Sequence, residues 1–223
     1  MKKSIIALSA LAVLASCGGP SSDKAATTEK QEVAAATGNN FTIDTTGTVV
    51  GWRGTHKGGM APRFGVISVT GGSLSAGKDG LTAGTVDINM VSLKVDTASV
   101  TEKDKKASDL EGHLKSPDFF NVGKYPTAKF VITKVAAYDS TQQKSLLPGA
   151  NHLISGNLTL KDSTLNITFP AVVNVTADEV TATAKFVIDR SAWGISYKTD
   201  GSPENWMISK DVELDLNLKA KKK

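Results

Sequence analysis

The chain has 223 residues, 40% hydrophobic and 22% charged, a globular rather than a disordered composition. Lys and Arg number 26 against 22 Asp and Glu; if Lys2 and Lys3 leave with a cleaved leader, 24 remain against 22, a net charge of +2. So near-neutral a chain does not support nucleic-acid binding as its main activity, and its one cysteine, Cys17, excludes an intrachain disulfide framework or a cysteine-rich zinc site.

At the start, Lys2 and Lys3 precede an apolar run from Ile5 to Leu14. At about ten residues that run is too short to span a bilayer as a helix. Leu14-Ala15-Ser16-Cys17 follows and resembles the lipobox of bacterial lipoproteins. The resemblance implies a leader over residues 1–16 and an acylated Cys17 as the mature N-terminus. It places the protein in the bacterial cell envelope, facing the periplasm or at the outer membrane. Two or three acyl chains anchor stably where one alone is marginal. A chance cysteine behind an ordinary signal peptide is the other reading. From Gly18 to Asn40 the only large aliphatic residue is Val33, too little apolar area to offset the entropy of ordering. Residues 17–40 are therefore expected to be the lipidated N-terminus and a flexible tether with a reach of roughly 25 Å.

From Phe41 the pattern is that of strands. Thr48 to His56 is a β-rich run broken by glycines, and Phe64 to Val69 is a second run that Gly71-Gly72 should end. Leu81 to Val95 alternates, with Val86, Ile88 and Met90 on one face and Asp87 and Asn89 on the other, which is a half-buried strand. Ser108 and Glu111 stand at capping-box spacing and predict a short helix over about residues 109–114. Ser116-Pro117 repeats the logic of a cap followed by a first-turn proline. Strands then resume over Thr127–Val135, His152–Leu160, Leu165–Phe169, Val172–Thr176, Glu179–Asp189 and Val212–Leu218. About eight to ten strands with short turns suit a sandwich or a closed barrel. An interior lined by Val, Ile, Leu, Ala and Met either fills itself or holds one elongated apolar guest. Lys219 to Lys223 is basic, and residues 221–223 are expected to be a solvated tail.

Several motifs then appear in order. Gly112-His113-Leu114-Lys115-Ser116-Pro117-Asp118-Phe119-Phe120 is followed by Lys124-Tyr125-Pro126-Thr127-Ala128-Lys129-Phe130. Gly156 to Leu160, Thr168-Phe169-Pro170, Phe186 to Ile195 and Ile208 to Leu214 continue the series. Together they resemble the YceI-like family of secreted, lipocalin-like, polyisoprenoid-binding proteins. The resemblance implies an all-β, eight-stranded antiparallel barrel over residues 41–220, with a short helical segment. It implies a long lumen that takes a polyisoprenoid or similar long-chain lipid, and it brings no catalytic residue and no cofactor. Asp162 stands where the family often has a turn glycine, and Leu165 where a basic residue is common.

The candidate lumen residues are Trp52, Met90, Phe119, Phe120, Tyr125, Phe130, Phe186 and Trp193. For these aromatic residues, and for Trp206, ordinary core packing is the competing role. His113 and Arg190 are candidates for a ligand head group. The alternatives are a structural hydrogen bond at the helix end for His113 and a salt bridge for Arg190. The three histidines have no metal-motif spacing. Asp109, Glu111 and Asp118 suit caps better than an acid–base pair. The expected partners are the lipid and, through the anchor, the membrane, with a homodimer left open. A barrel enzyme acting on an apolar substrate and an envelope module with a filled core are the remaining alternatives.

Overall fold

The computed structural model describes residues 24–141, 144–199 and 207–222. The leader, Cys17 and Trp206 lie outside the described residues. Ten strands appear: β1 (Ala26–Glu29), β2 (Asn39–Ile43), β3 (Val49–His56), β4 (Arg63–Gly77), β5 (Gly80–Val95), β6 (Thr127–Ala137), β7 (His152–Leu160), β8 (Ser163–Val175), β9 (Glu179–Asp189) and β10 (Ile208–Lys222). A helix, α1 (Ala107–Lys115), stands between β5 and β6.

Consecutive strands from β3 to β10 pair antiparallel, and β10 returns to pair with β3. β2 and β3 both lie between β4 and β10, at opposite ends, and act as one broken stave. The result is a closed eight-stranded antiparallel barrel. Period-two alternation builds it. In β9, Val180, Ala184, Phe186 and Ile188 face inward and are buried. In β10, Leu214, Leu216 and Leu218 face inward while Lys185 of β9 meets Glu213 outside at 3.0 Å. On the outer face of β7 and β8, directly opposed neutral side chains bond to one another: Thr159 to Thr164 at 2.8 Å, Asn157 to Asn166 at 3.1 Å, and Ser155 to Thr168 at 2.8 Å.

One rim carries α1, the end of β9 and a 3₁₀ turn over Arg190–Trp193. Leu110 and Leu114 of α1 pack on the core. The helix begins at Ala107, so Ser108 is inside it and caps nothing. Glu111 instead accepts from Lys115 Nζ at 2.8 Å and from the Val95 N–H at 3.4 Å, tying α1 to β5. After Ser116 the chain makes hydrogen-bonded turns rather than a second helical turn.

Four other expectations are corrected. Gly71-Gly72 does not end β4. Gly72 has φ +135°, and a register shift between Val69 and Gly71 bends the strand there without stopping it, the role glycine plays in a bulged stave. Pro170 does not divide β8, because its missing donor is tolerated where β9 has not yet begun to pair. Of the basic tail, Lys221 and Lys222 are the end of β10, with Lys221 on Asp44 at 3.0 Å and, just before it, Lys219 on Glu179 at 2.6 Å; Lys223 lies outside the described residues.

The largest correction concerns the tether. From Lys24 onward it lies on the barrel wall. β1 pairs with β8 from Ala26↔Thr168 to Glu29↔Leu165, and the Ala25 N–H donates to the Val187 carbonyl of β9 at 2.8 Å. Asn157, buried on the outer face, accepts from the Gln31 N–H at 3.0 Å and donates to its carbonyl at 2.7 Å. Farther on, the Ala34 N–H donates at 3.1 Å to the Ile132 carbonyl, beside the bulge of β6. Backbone pairing and one buried amide order this strap, where apolar area alone is insufficient.

Candidate functional site

The barrel interior is apolar from rim to rim. Val50, Val69, Val86, Ile88, Leu158, Ile167, Leu214, Leu216 and Leu218 line a cavity of about 70 Å³, with Thr48 and Asn217 at one edge. Phe130, Phe169 and Phe186 share this lining and form a row across it. Phe169 and Phe186 stack at 4.0 Å with planes 8° apart, and Phe130 meets Phe169 at 5.7 Å. Gly156 makes the space for the row: a Cβ there would stand 2.2 Å from Phe130 Cζ. Val86, Phe130, Leu214, Leu216 and Leu218 are only half-buried, so the lumen retains accessible apolar surface.

Trp52 projects from β3 on the same face as Val50, between Gly65 of β4 and Leu214 of β10. Its indole packs on the core, and its Nε1–H is buried with no hydrogen-bond partner. A buried donor left unpaired costs about 1–3 kcal/mol. Among the described residues it is the one buried side-chain donor found without a partner.

The rim with α1 is plugged. Trp193 is 1% exposed and donates from Nε1 to the Leu158 carbonyl at 3.0 Å. Phe119, also buried, sits beneath Arg190, whose guanidinium carbon is 5.6 Å from the ring.

Comparison with known proteins fits this geometry. The YceI-like domain model matches residues 41–220. This chain belongs to the YceI-like family. The model for the prokaryotic membrane lipoprotein lipid attachment site matches residues 1–17, so the YceI-like barrel is lipid-anchored in the cell envelope. Among curated proteins, the chain is 31% identical over 78 residues to the UPF0312 protein plu2095 of Photorhabdus laumondii, a match covering 35% of this chain and 33% of that one. Among solved structures it is similar to BcnA of Burkholderia cenocepacia, with TM-score 0.56 and 16% identity over 80% of this chain and 99% of that one. It is also similar to a polyisoprenoid binding domain from Saccharophagus degradans, with TM-score 0.53 and 14% identity over 82% and 98% of the two chains.

Within the YceI-like barrel the expected site residues separate into three groups. Phe130 and Phe186 line the cavity, and Trp52 stands beside it. Met90, Phe119, Phe120 and Trp193 are packed near or against the core without lining the cavity. Tyr125 faces away from the lumen, and its assignment there is corrected; His113 and Arg190, the head-group candidates, are engaged by protein groups away from the cavity. Tyr125 donates its hydroxyl to Asp162 at 2.8 Å on the outer rim. His113 bonds Asp118 through Nε2 at 2.9 Å and packs edge-on against Phe119 and Tyr197. Arg190 is 5% exposed and gives four hydrogen bonds to carbonyls. They run to Ser209 (3.0 Å), Ile195 (2.7 Å), Tyr197 (3.0 Å) and Ile208 (3.2 Å). Burial lowers its pKa, opposed by the charge of Asp189, and its donors fasten the 3₁₀ turn to β10.

Phe169 is the aromatic lining residue that sequence reasoning passed over. The alternation Ile167, Phe169, Ala171 in β8 was the available signal. No group of three or more potential metal ligands occurs among the described residues.

Proposed function

We propose that this lipid-anchored envelope protein binds an isoprenoid or similarly long apolar lipid in its barrel, as a carrier or store rather than an enzyme. The observation that carries the reading is the apolar lining of the cavity, beside which Trp52 buries an unpaired Nε1–H. The similarity to the Saccharophagus degradans domain, a polyisoprenoid binding domain, supports the same chemistry. Burial supplies the affinity: at about 0.8 kcal/mol per methylene, ten methylenes give a gross gain near 8 kcal/mol before ordering costs. Trp52 Nε1–H supplies orientation, by meeting an acceptor oxygen of an uncharged head group.

The cavity of about 70 Å³ is smaller than the roughly 150 Å³ that holds one benzene. A long guest therefore enters by displacing the Phe130–Phe169–Phe186 row. The same small volume favours a second reading, a structural module whose lumen stays filled. Native mass spectrometry of the lipidated protein taken from its own membranes decides between them. A co-purified apolar lipid is the expected result. An empty barrel that also takes up no polyprenyl or fatty probe would refute lipid binding.

A further inference from the structure

The barrel wall is not continuous between β8 and β9. These strands pair only from Val172↔Thr183 to Val175↔Val180. Toward the α1 rim they part, and β1 lies in the gap, antiparallel to β8 and bridged to β9 at Lys24↔Val187. Directly inside stand Phe169 of β8 and Phe186 of β9, stacked on each other. The inserted stretch is Ala25-Ala26-Thr27-Thr28, and only Ala25 is buried. It is thus held by backbone bonds, by Lys24 on Asp211 at 2.5 Å and on Asp189 at 3.5 Å, and by little apolar area. β1 is therefore a short stave with little apolar area to lose on leaving.

The position of the anchor adds the second observation. Lys24 is seven residues after Cys17, and seven residues extend at most about 25 Å. From Val187 to the opposite rim at Glu179 is eight residues of β9, about 26 Å along the strand. Bringing that far rim to the bilayer would use the whole length of chain, whereas the seam lies within its reach. The adjoining opposed pairs of β7 and β8 are neutral, as in Ser155–Thr168 and Thr159–Thr164. Asn157 and Asn166 are buried there, with Asn157 bound to Gln31 of the strap, beside the exposed Glu29, Lys30 and Glu32. The β5–β6 and β9–β10 walls instead carry the ion pairs Asp87–Lys129 and Lys185–Glu213.

We propose that the β1-covered seam between β8 and β9 is the face presented to the bilayer, and the doorway through which an apolar lipid passes between membrane and lumen. The proposal rests on the lipid-binding reading above. β1 lifts from β8, Phe169 and Phe186 separate, and the lipid chain enters sideways without crossing the plug of Trp193 and Arg190. Its partner is therefore the membrane itself.

The test uses the acylated protein in phosphatidylethanolamine–phosphatidylglycerol vesicles that contain all-trans-retinol, with uptake read by energy transfer from tryptophan. An Ala26→Cys/Thr168→Cys pair locks β1 to β8. The register partners of an antiparallel ladder stand about 4.5–5.5 Å apart at Cα, within disulfide range. A Ser155→Cys/Thr168→Cys pair, which locks β7 to β8 and leaves β1 free, is the control. Oxidation of the first pair is expected to slow uptake at least tenfold, reversibly with reductant and at unchanged final occupancy, and to leave the control unaffected. Asn157→Ala, which frees the strap, is expected to speed uptake several-fold. Equal uptake by the locked and unlocked forms overturns the doorway and leaves the lumen reading intact. No uptake by the unsubstituted protein, from vesicles or from detergent, overturns the lumen reading and the doorway with it.

Discussion

Replacing Phe169 by Ala tests the packed state of the lumen most directly. Phe169 is 3% exposed and lies between Phe130 and Phe186. Buried Phe→Ala changes cost about 3–5 kcal/mol, part of it a cavity term near 24 cal/mol per Å³. A void on the order of 100 Å³ added to the existing cavity contributes about 2.4 kcal/mol of that loss. At about 2–4 °C per kcal/mol for a domain of this size, the melting temperature falls by roughly 6–20 °C. The variant should recover on ligation, because a ligand at a hundred times its Kd restores about 2.7 kcal/mol. Calorimetry of the empty protein, then with retinol and separately with benzene, measures both parts. Benzene is expected to stabilise the variant and not the parent, since only the variant has room for it. A loss below about 1 kcal/mol would refute a packed phenylalanine row. A full loss with no recovery, while the parent binds retinol, would refute the placement of Phe169 in the ligand's path.

Two further outcomes are expected. Arg190→Lys should lower stability by about 2–4 kcal/mol, because an ammonium cannot reach the four carbonyls that the guanidinium joins. Denaturant midpoints should fall while lipid uptake stays unchanged, and reduced uptake at full stability would return Arg190 to the head-group role. The second outcome concerns acid. Burial raises the pKa of Asp189, but hydrogen bonds from Ser191 and Lys210 and the charge of Lys24 outweigh it, leaving it below the usual 3.8. The unfolded chain then binds the proton more readily, so the carboxylate's stabilising contribution is complete above about pH 4. It is lost as pH falls through the lower folded value. Urea unfolding between pH 2 and 7 should show this limb in the parent and a shallower one in Asp189→Asn; identical limbs would refute it.

The strands were legible because their causes are local. Alternation places β7 over His152–Leu160 and β9 over Glu179–Asp189, the bounds the structure has. Barrel closure was legible through the family motifs rather than through periodicity, which suits a sandwich equally well. What escaped depends on partners far along the chain. The Tyr125 hydroxyl finds a carboxylate 37 residues away, and Arg190 is consumed by carbonyls of Ile195, Tyr197, Ile208 and Ser209. The strap escaped for a different reason. Its composition is that of a linker, and its order comes from an amide on β7, Asn157, that binds Gln31 from 126 residues away.

That strap begins before the domain to which it belongs. The family match runs from Phe41 to Ala220, yet Ala26–Glu29 complete the wall. A recombinant fragment cut at Phe41 would carry an open strand edge over Leu165–Thr168 of β8 and another at Val187. Such edges recruit whatever strand is at hand, including that of a second molecule. For such a fragment, oligomers and poor solubility would reflect the missing stave and not the native state of the protein. The practical unit of this barrel therefore starts by Lys24 rather than at Phe41.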